Sequence, residues 1–336
     1  MTRPNIIFIV ADDLGFADLG CYGGRDARFG QISPELDALA ANGMRFTQGY
    51  SNSPVCSPTR FALMTARYQY RLRGAAEEPI NSRSRGSTTL GLPPEVPTLP
   101  SLLRGRGYRT ALIGKWHLGF LPAFGPLRSG YEEFFGPMAG GVDYFTHCTS
   151  TGAHDLWQGE DETHEDGYLT DMISERSVDT IERMATGNAP FFLSMHYTAP
   201  HWPWETRDDR ATALQIRDNI MHLHGGNIHT YHRMIHHMDE GIGKVVARLR
   251  RLRLLDNTLI VFTSDNGGER FSDNWPLVGG KMDLTEGGIR VPWIAHWPGI
   301  IPPGTTSTQH CMTMDWSATM LELAGAGPAP DRKSVV

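Results

Sequence analysis

No apolar run in the 336 residues approaches the roughly 18 needed to cross a bilayer, so no membrane partner is expected. The amino terminus passes from Met1-Thr2-Arg3-Pro4 straight into Asn5-Ile6-Ile7-Phe8-Ile9-Val10, too short for the apolar core and cleavage site of a signal peptide. As given, the chain carries no address and a cytoplasmic location is expected, periplasmic or secreted if a leader has been removed. Cysteine is scarce: Cys21, Cys56, Cys148 and Cys311 are too few and too scattered for a disulfide scaffold, and none forms a Cys-x-x-Cys metal pair. A reducing compartment is permitted. A basic footprint is also lacking, since 31 Lys and Arg face 37 Asp and Glu for a net charge of −6, with no cationic patch interleaved with aromatics. Nucleic acid is therefore excluded as the expected partner. What remains, 40% hydrophobic and 20% charged, belongs to a globular protein large enough for one big domain or two smaller ones.

The apolar content comes in short β-branched runs. Ile6 to Val10, Tyr108 to Ile113, Phe191 to Tyr197 and Thr258 to Ser264 each read as a strand buried on both faces, and a fifth is expected around Trp293 to Trp297. Helical signals fall between them: Ser33-Pro34-Glu35 opens a helix through Leu36, Leu39 and Ala40 that Gly43 closes. Further helices are predicted over Leu99 to Arg106, Tyr168 to Met184 and Ile228 to Leu254, with a last one, capped by Asp315, over Trp316 to Ala324. Ala75 to Pro97 is a loop rich in Gly, Pro and Ser, long enough to read as a rim or lid. Phe120 to Asp166 reads as irregular. Six histidines fall between His222 and His237, and His232 and His236 have the i, i+4 spacing of a zinc face. No glutamate follows His232 directly, and Ile235, Met238, Ile242, Val245, Val246 and Leu249 form the buried stripe that the histidines mostly fall off, so these histidines read as a solvated or partly solvated face.

Strands separated by helices imply crossover connections and a mostly parallel sheet covered by helices on both faces, an α/β fold. In such sheets ligands bind beyond the carboxyl ends of the strands. Asp12-Asp13, Lys115 and His117, His201, and Asp265-Asn266 all stand there. Asp12, Asp13, Asp265 and Asn266 are hard oxygen donors suited to Ca²⁺ or Mg²⁺, with zinc disfavoured. Arg60, Lys115 and Lys281 surround them, so one divalent ion would leave the site attractive to a dianion or a sulfate monoester.

Into this rim falls Cys56-Ser57-Pro58-Thr59-Arg60. Ser57 followed by Pro58 reads as N-cap and first helical residue, placing Cys56 just outside a helix N-terminus, where free amides and the dipole favour an anion. Cys56-x-Pro58-x-Arg60 resembles the signature of type I sulfatases, in which a maturation enzyme converts the cysteine to formylglycine. Leu63-Met64-Thr65-Ala66-Arg67 is similar to that family's second element, with Ala66 where glycine is usual. Asp12-Asp13, Gly114-Lys115-Trp116-His117, Pro200-His201-x-Pro203, Asp265-Asn266-Gly267, Lys281 and Glu286-Gly287-Gly288 extend the likeness to the alkaline-phosphatase-like superfamily from Ile6 to Ala326.

The resemblance implies that Asp12, Asp13, Asp265, Asn266 and residue 56 bind the metal, Ca²⁺ or alternatively Mg²⁺. It implies hydrolysis of an aryl or sugar sulfate by the hydrated aldehyde of residue 56, with Arg60 steadying the nucleophile and Lys115 and Lys281 holding sulfate oxygens. His201, helped by Lys281, would protonate the leaving group, and His117 would take the proton that expels sulfate. The partners implied are the sulfate ester and a formylglycine-generating enzyme. A phosphonate monoester or phosphodiester hydrolase of the same superfamily is the alternative enzyme, and a truncated, catalytically idle binding homologue the alternative of another class. Residues 1–326 are expected to form the catalytic domain, and 327–336 a truncated linker, with the family's C-terminal subdomain absent. That absence predicts an uncovered apolar surface near the Asp315 to Ala324 helix, with self-association as its consequence.

Overall fold

Five of the short strands lie side by side and parallel at the centre of a ten-stranded sheet, in the order Thr258–Ser264, Asn5–Ala11, Phe191–His196, Arg109–Gly114, Glu133–Gly136. In this computed structural model the described residues are 3–23, 29–72, 79–216, 219–220 and 225–326. Every residue of Asn5–Ala11, Phe191–His196 and Thr258–Ser264 is buried, as continuous β-branched and aromatic runs require when both faces are covered. The fold is the mostly parallel α/β arrangement expected from the sequence. Trp293–His296 departs from it, pairing antiparallel with Thr258–Ser264 and then with Met44–Phe46, which pairs parallel with the edge strand Thr305–Ser307.

The segment read as irregular, Phe120 to Asp166, holds the fifth parallel strand and a hairpin, Trp157–Gln158 with Asp161–Glu162, that ends the sheet. Strands of four and two residues flanked by glycine are too short to show a periodicity, which is why tertiary pairing alone reveals them.

Helices Leu169–Met184 and Ile228–Arg251 pack on one another, and Asp239 of the second caps the helix Pro34–Ala41 by accepting the amides of Glu35 and Leu36 at 3.0 and 2.8 Å. Of the clustered histidines, His222 and His224 lie outside the described residues. His229 is exposed and His236 half-buried, but His232 and His237 are buried, against Phe29 and Tyr168 respectively. The solvated reading thus fails for those two, because the buried stripe of the helix is wider than its aliphatic residues suggest.

Helices Cys56–Thr65, Leu99–Arg104 and Thr313–Leu323 form a second group, where Ser317 Oγ donates to the Leu63 carbonyl. The last helix begins three residues earlier than predicted: Asp315 is its third residue and reaches back to the Met312 amide at 2.8 Å. Its apolar side is covered, with Trp316 stacked on Trp293 at 5.6 Å, and its outer side carries Asp315, Ala318, Thr319 and Glu322. Among the described residues, the outer side of that helix therefore shows no contiguous apolar area. Large exposed apolar side chains occur instead at Trp275, Val278, Met282 and Leu284, around Lys281. Residues 327–336, read as a truncated linker, lie outside the described residues, and no helix among those described is long and apolar enough to cross a membrane.

Candidate active site

The parallel ladder continues one step past the strands, with Asp12 N donating to the Ala199 carbonyl at 3.0 Å and Asp265 N to the Ala11 carbonyl at 3.1 Å. Those bonds fix two carboxylates, 253 positions apart in sequence, on one rim. Ligand atoms of Asp12, Asp13, Cys56 and Asp265 all lie within 4.8 Å of one another, and all four residues are buried. Asn266 donates through Nδ2 to Asp13 Oδ1 at 2.7 Å and leaves its own Oδ1 buried without a partner.

Cys56 is the first residue of its helix, not the one before it, and Val55 in extended conformation is the N-cap. Ser57, expected as the cap, instead accepts the Ile80 amide on its hydroxyl at 3.0 Å and so ties the 75–97 loop to the helix start. At the far end Ala66 takes φ 52 as the C-cap. This is the left-handed conformation that glycine adopts without penalty, and it costs alanine about 1 kcal/mol. Cys56 Sγ stands 3.4 Å from Asp12 Oδ1 and 3.9 Å from Asp13 Oδ1. Burial, then the Asp265 charge, push its thiol well above the ordinary range. As an unmodified cysteine it stays protonated and is a poor nucleophile.

Each carboxylate has a cation of its own. Arg60 clasps Asp265 Oδ2 through Nε and Nη2 at 3.1 and 2.9 Å, Lys115 meets Asp12 Oδ2 at 2.5 Å, and Lys281 meets Asp13 Oδ2 at 2.6 Å. The balance differs from one to the next. Asp13, which burial alone would raise, is pulled down to about 2 by Lys281, His201 and Lys115. Asp12 goes the other way, up to about 8, because burial and the Asp265 charge outweigh Lys115. A carboxylate so strained by its neighbours, an orphaned amide oxygen and an all-oxygen donor set beside one sulfur position fit a hard divalent cation.

His117 and His201 come from different strand ends and lie over the glycines Gly140 and Gly141. A Cβ at Gly140 would fall 2.4 Å from the His117 ring, and one at Gly141 3.0 Å from His201. His117 Nε2 meets the Ile80 carbonyl at 2.5 Å and His201 Nδ1 the Trp202 carbonyl at 2.6 Å. A carbonyl only accepts, so these nitrogens carry hydrogen, and the free lone pairs of the neutral rings are on His117 Nδ1 and His201 Nε2. His201 Nε2 is 3.6 Å from Asp13 Oδ2, and His117 Nδ1 is buried without a partner. Burial and the neighbouring lysines hold both rings neutral: His117 lies well below its ordinary value through burial and Lys115, and His201 at about 3 through burial and Lys281.

Every site residue named from the sequence is thus drawn to one edge, but several supports were not. His196, buried at the last position of its strand, places Nδ1 3.2 Å from Arg60 Nη1, which also donates to the Lys115 carbonyl at 3.2 Å. The strand-end rule that found its neighbours would have reached it, since it pairs with both Val10 and Gly114. Asp18 accepts the Gly15 amide at 2.8 Å, the Asp273 amide at 2.8 Å and the Tyr231 hydroxyl at 2.6 Å, joining the loops after two strands. No local pattern marks it.

Asp143 and Glu205 brace the glycine loop. Asp143 Oδ1 accepts the amides of Phe145 and Thr146, while Asp143 Oδ2 and Glu205 Oε1 are buried with no donor from any other group. Burial, then Asp143, raise Glu205 to about 10 from 4.5, so Glu205 keeps in the folded state a proton that the unfolded chain would release near 4.5. The folded state binds the extra proton across that window, so this contribution is full below about pH 4.5 and is lost as pH rises toward about 10. Glu205→Gln, whose amide donates at any pH, should flatten the fall in melting temperature between about pH 5 and 10. Equal slopes for variant and wild type in calorimetry would exclude a proton held on Glu205.

The carboxyl edge of this parallel α/β sheet thus combines a buried set of carboxylates that could hold a metal ion, three fixed cations and two histidines. The Sulfatase family profile matches residues 4–326. N-acetylgalactosamine-6-sulfatase of Canis lupus familiaris is 34% identical over 98% of this chain and 64% of its own length. The crystal structure of Ps i-CgsB in complex with k-i-k-neocarrahexaose superposes with a TM-score of 0.84 at 34% identity, covering 97% of this chain and 72% of that one. A phosphonate monoester hydrolase of Agrobacterium radiobacter, 20% identical with a TM-score of 0.62 over 96% of this chain and 74% of that one, shares the fold. The chain belongs to the sulfatase family of the alkaline-phosphatase-like superfamily. It spans 64% of the length of the canine relative.

Proposed function

We propose that this chain hydrolyses sulfate monoesters carried on saccharides, after conversion of Cys56 to formylglycine and with Ca²⁺ in the carboxylate site. The carrying observation is Cys56 itself, at the start of a helix in Cys-x-Pro-x-Arg context and 3.4 Å from Asp12 in a lysine-flanked pocket. Two named relatives, an N-acetylgalactosamine-6-sulfatase and a protein solved with a neocarrahexaose, support a sugar-borne ester. A formylglycine-generating enzyme is then the partner needed in maturation.

Asp12, Asp13, Asp265 and Asn266, with residue 56, would hold the cation, which when bound supplies Lewis-acid polarisation of sulfate and nucleophile oxygens. A hydrated aldehyde at position 56 brings two geminal hydroxyls, one for attack on sulfur and one to let sulfate leave; the protonated thiol of cysteine brings neither. Lys115 and Lys281 each spend one N–H on a carboxylate and keep others for sulfate oxygens. Arg60 is engaged by Asp265, Lys115 and His196, so its part is to hold Asp265 and charge the pocket. His117, with its lone pair on Nδ1, is set to take a proton. His201 must first take up a proton on Nε2, which the substrate's negative charge would favour against the burial and Lys281 repulsion that hold the ring neutral in the free site, and can then give that proton to the leaving group.

Protein verified by peptide mass spectrometry to carry formylglycine at position 56, and supplied with Ca²⁺, should cleave sugar and aryl sulfates faster than an aryl phosphodiester or phosphonate monoester. No sulfate cleavage would overturn the reading. The phosphonate alternative has fold likeness alone behind it, and the idle-homologue alternative is opposed by a site in which each position is filled. His201→Ala should slow sugar sulfates by about 10²–10⁴-fold and nitrophenyl sulfate by less than about 10-fold, because a good leaving group needs little protonation. Equal losses would make His201 a positioning residue.

A further inference from the structure

A second cluster of side chains lies at the end hairpin of the sheet, Trp157–Gln158 with Asp161–Glu162. There Glu162, on the outer strand, and His164, two residues on, share one side, as alternate residues of an extended chain do. Thr163 N donates to the Leu156 carbonyl at 2.9 Å, so the ladder still holds between them. His154, from the segment entering the hairpin, places Nδ1 3.0 Å from Glu162 Oε1 and stacks its ring on His164 at 4.1 Å. The donor atoms of the three residues all lie within 4.8 Å of one another.

We propose that His154, Glu162 and His164 form a second metal site, for a divalent transition ion of the zinc class, separate from the carboxylate site. Two imidazoles and a carboxylate are borderline donors that suit such an ion and disfavour Ca²⁺. With bonds of about 2.0–2.1 Å, neighbouring ligand atoms of a tetrahedral zinc stand about 3.3 Å apart. The His154–Glu162 pair is already close to that spacing, and the exposed His164 needs only a side-chain rotation to match it. Water completes the fourth position. Without an ion, two imidazoles stacked beside one carboxylate give that carboxylate a single hydrogen-bonding partner; with one, all three are joined across the hairpin.

The site lies next to a support of the catalytic edge. Asp155 accepts the Ala139 amide at 2.7 Å and the Trp157 indole N–H at 2.8 Å, and Ala139 leads into the glycines packed on His117 and His201. An ion at residue 154 would therefore pin the segment that seats both histidines. This inference stands apart from the proposed reaction, and its readout is binding.

The test is equilibrium dialysis of the full chain, loaded with Ca²⁺, against Zn²⁺, with Co²⁺ as the spectroscopic probe. One equivalent of Zn²⁺ per chain is expected, with Co²⁺ giving tetrahedral visible bands free of thiolate charge transfer. His164→Ala, at an exposed position whose ring packs on His154, should weaken binding at least 10-fold, as should Glu162→Gln. Zn²⁺ binding that survives His164→Ala and is weakened in Asp265→Asn would put the ion in the carboxylate site and overturn the proposal. So would the absence of stoichiometric binding at about 100 μM free Zn²⁺, well above the range of protein zinc sites.

Discussion

Cys56→Ala should lower turnover of any sulfate ester by about 10⁴-fold or more while the fold and the divalent cation persist. The side chain is buried and its sulfur lies against Asp12 and Asp13, so its loss leaves only a small void, worth about 1–2 kcal/mol. Asp12, Asp13, Asp265 and Asn266 remain as the proposed ligands, and Lys115, Lys281 and Arg60 keep their carboxylate partners. What disappears is the side chain from which the two geminal hydroxyls of the proposed reaction would be made. Initial rates on nitrophenyl sulfate, with Ca²⁺ binding followed by calorimetry, separate the two effects. Turnover within about 10-fold of wild type would remove residue 56 from the chemistry.

Asp265→Ala should lose the cation and the activity together, and stability as well. Asp265 takes two N–H groups of Arg60 and the Asp13 amide at 3.3 Å, so its removal strands a guanidinium that is 1% exposed. A buried charge deprived of its partner costs about 3–5 kcal/mol. Asp265→Asn separates the contributions: its amide oxygen still accepts from Arg60, so much of the stability should return while cation affinity stays at least about 10-fold below wild type. Calorimetric Ca²⁺ titration and thermal melts of both variants decide it. Cation affinity unchanged in Asp265→Ala would refute the carboxylate site.

Sequence pattern alone determined the chemistry available at the edge. Runs such as Ile6 to Val10 and Leu259 to Phe262 are apolar on both faces and must be buried strands, so the polar residues next after them, Asp12-Asp13 and Asp265-Asn266, had to emerge together at one rim. The Cys-x-Pro-x-Arg segment is likewise readable, because its residues are adjacent in the chain. Only the tertiary structure decided which cation serves which carboxylate, since Arg60 reaches Asp265 across 205 positions and Lys281 reaches Asp13 across 268. It also set the lone pairs of His117 and His201, through carbonyls at Ile80 and Trp202, and buried His232 and His237, which look solvated in sequence. Local periodicity records which face a residue presents to its own element. Strand order, register and the packing of one element on another depend on distant contacts, and these leave no trace in the spacing of neighbours.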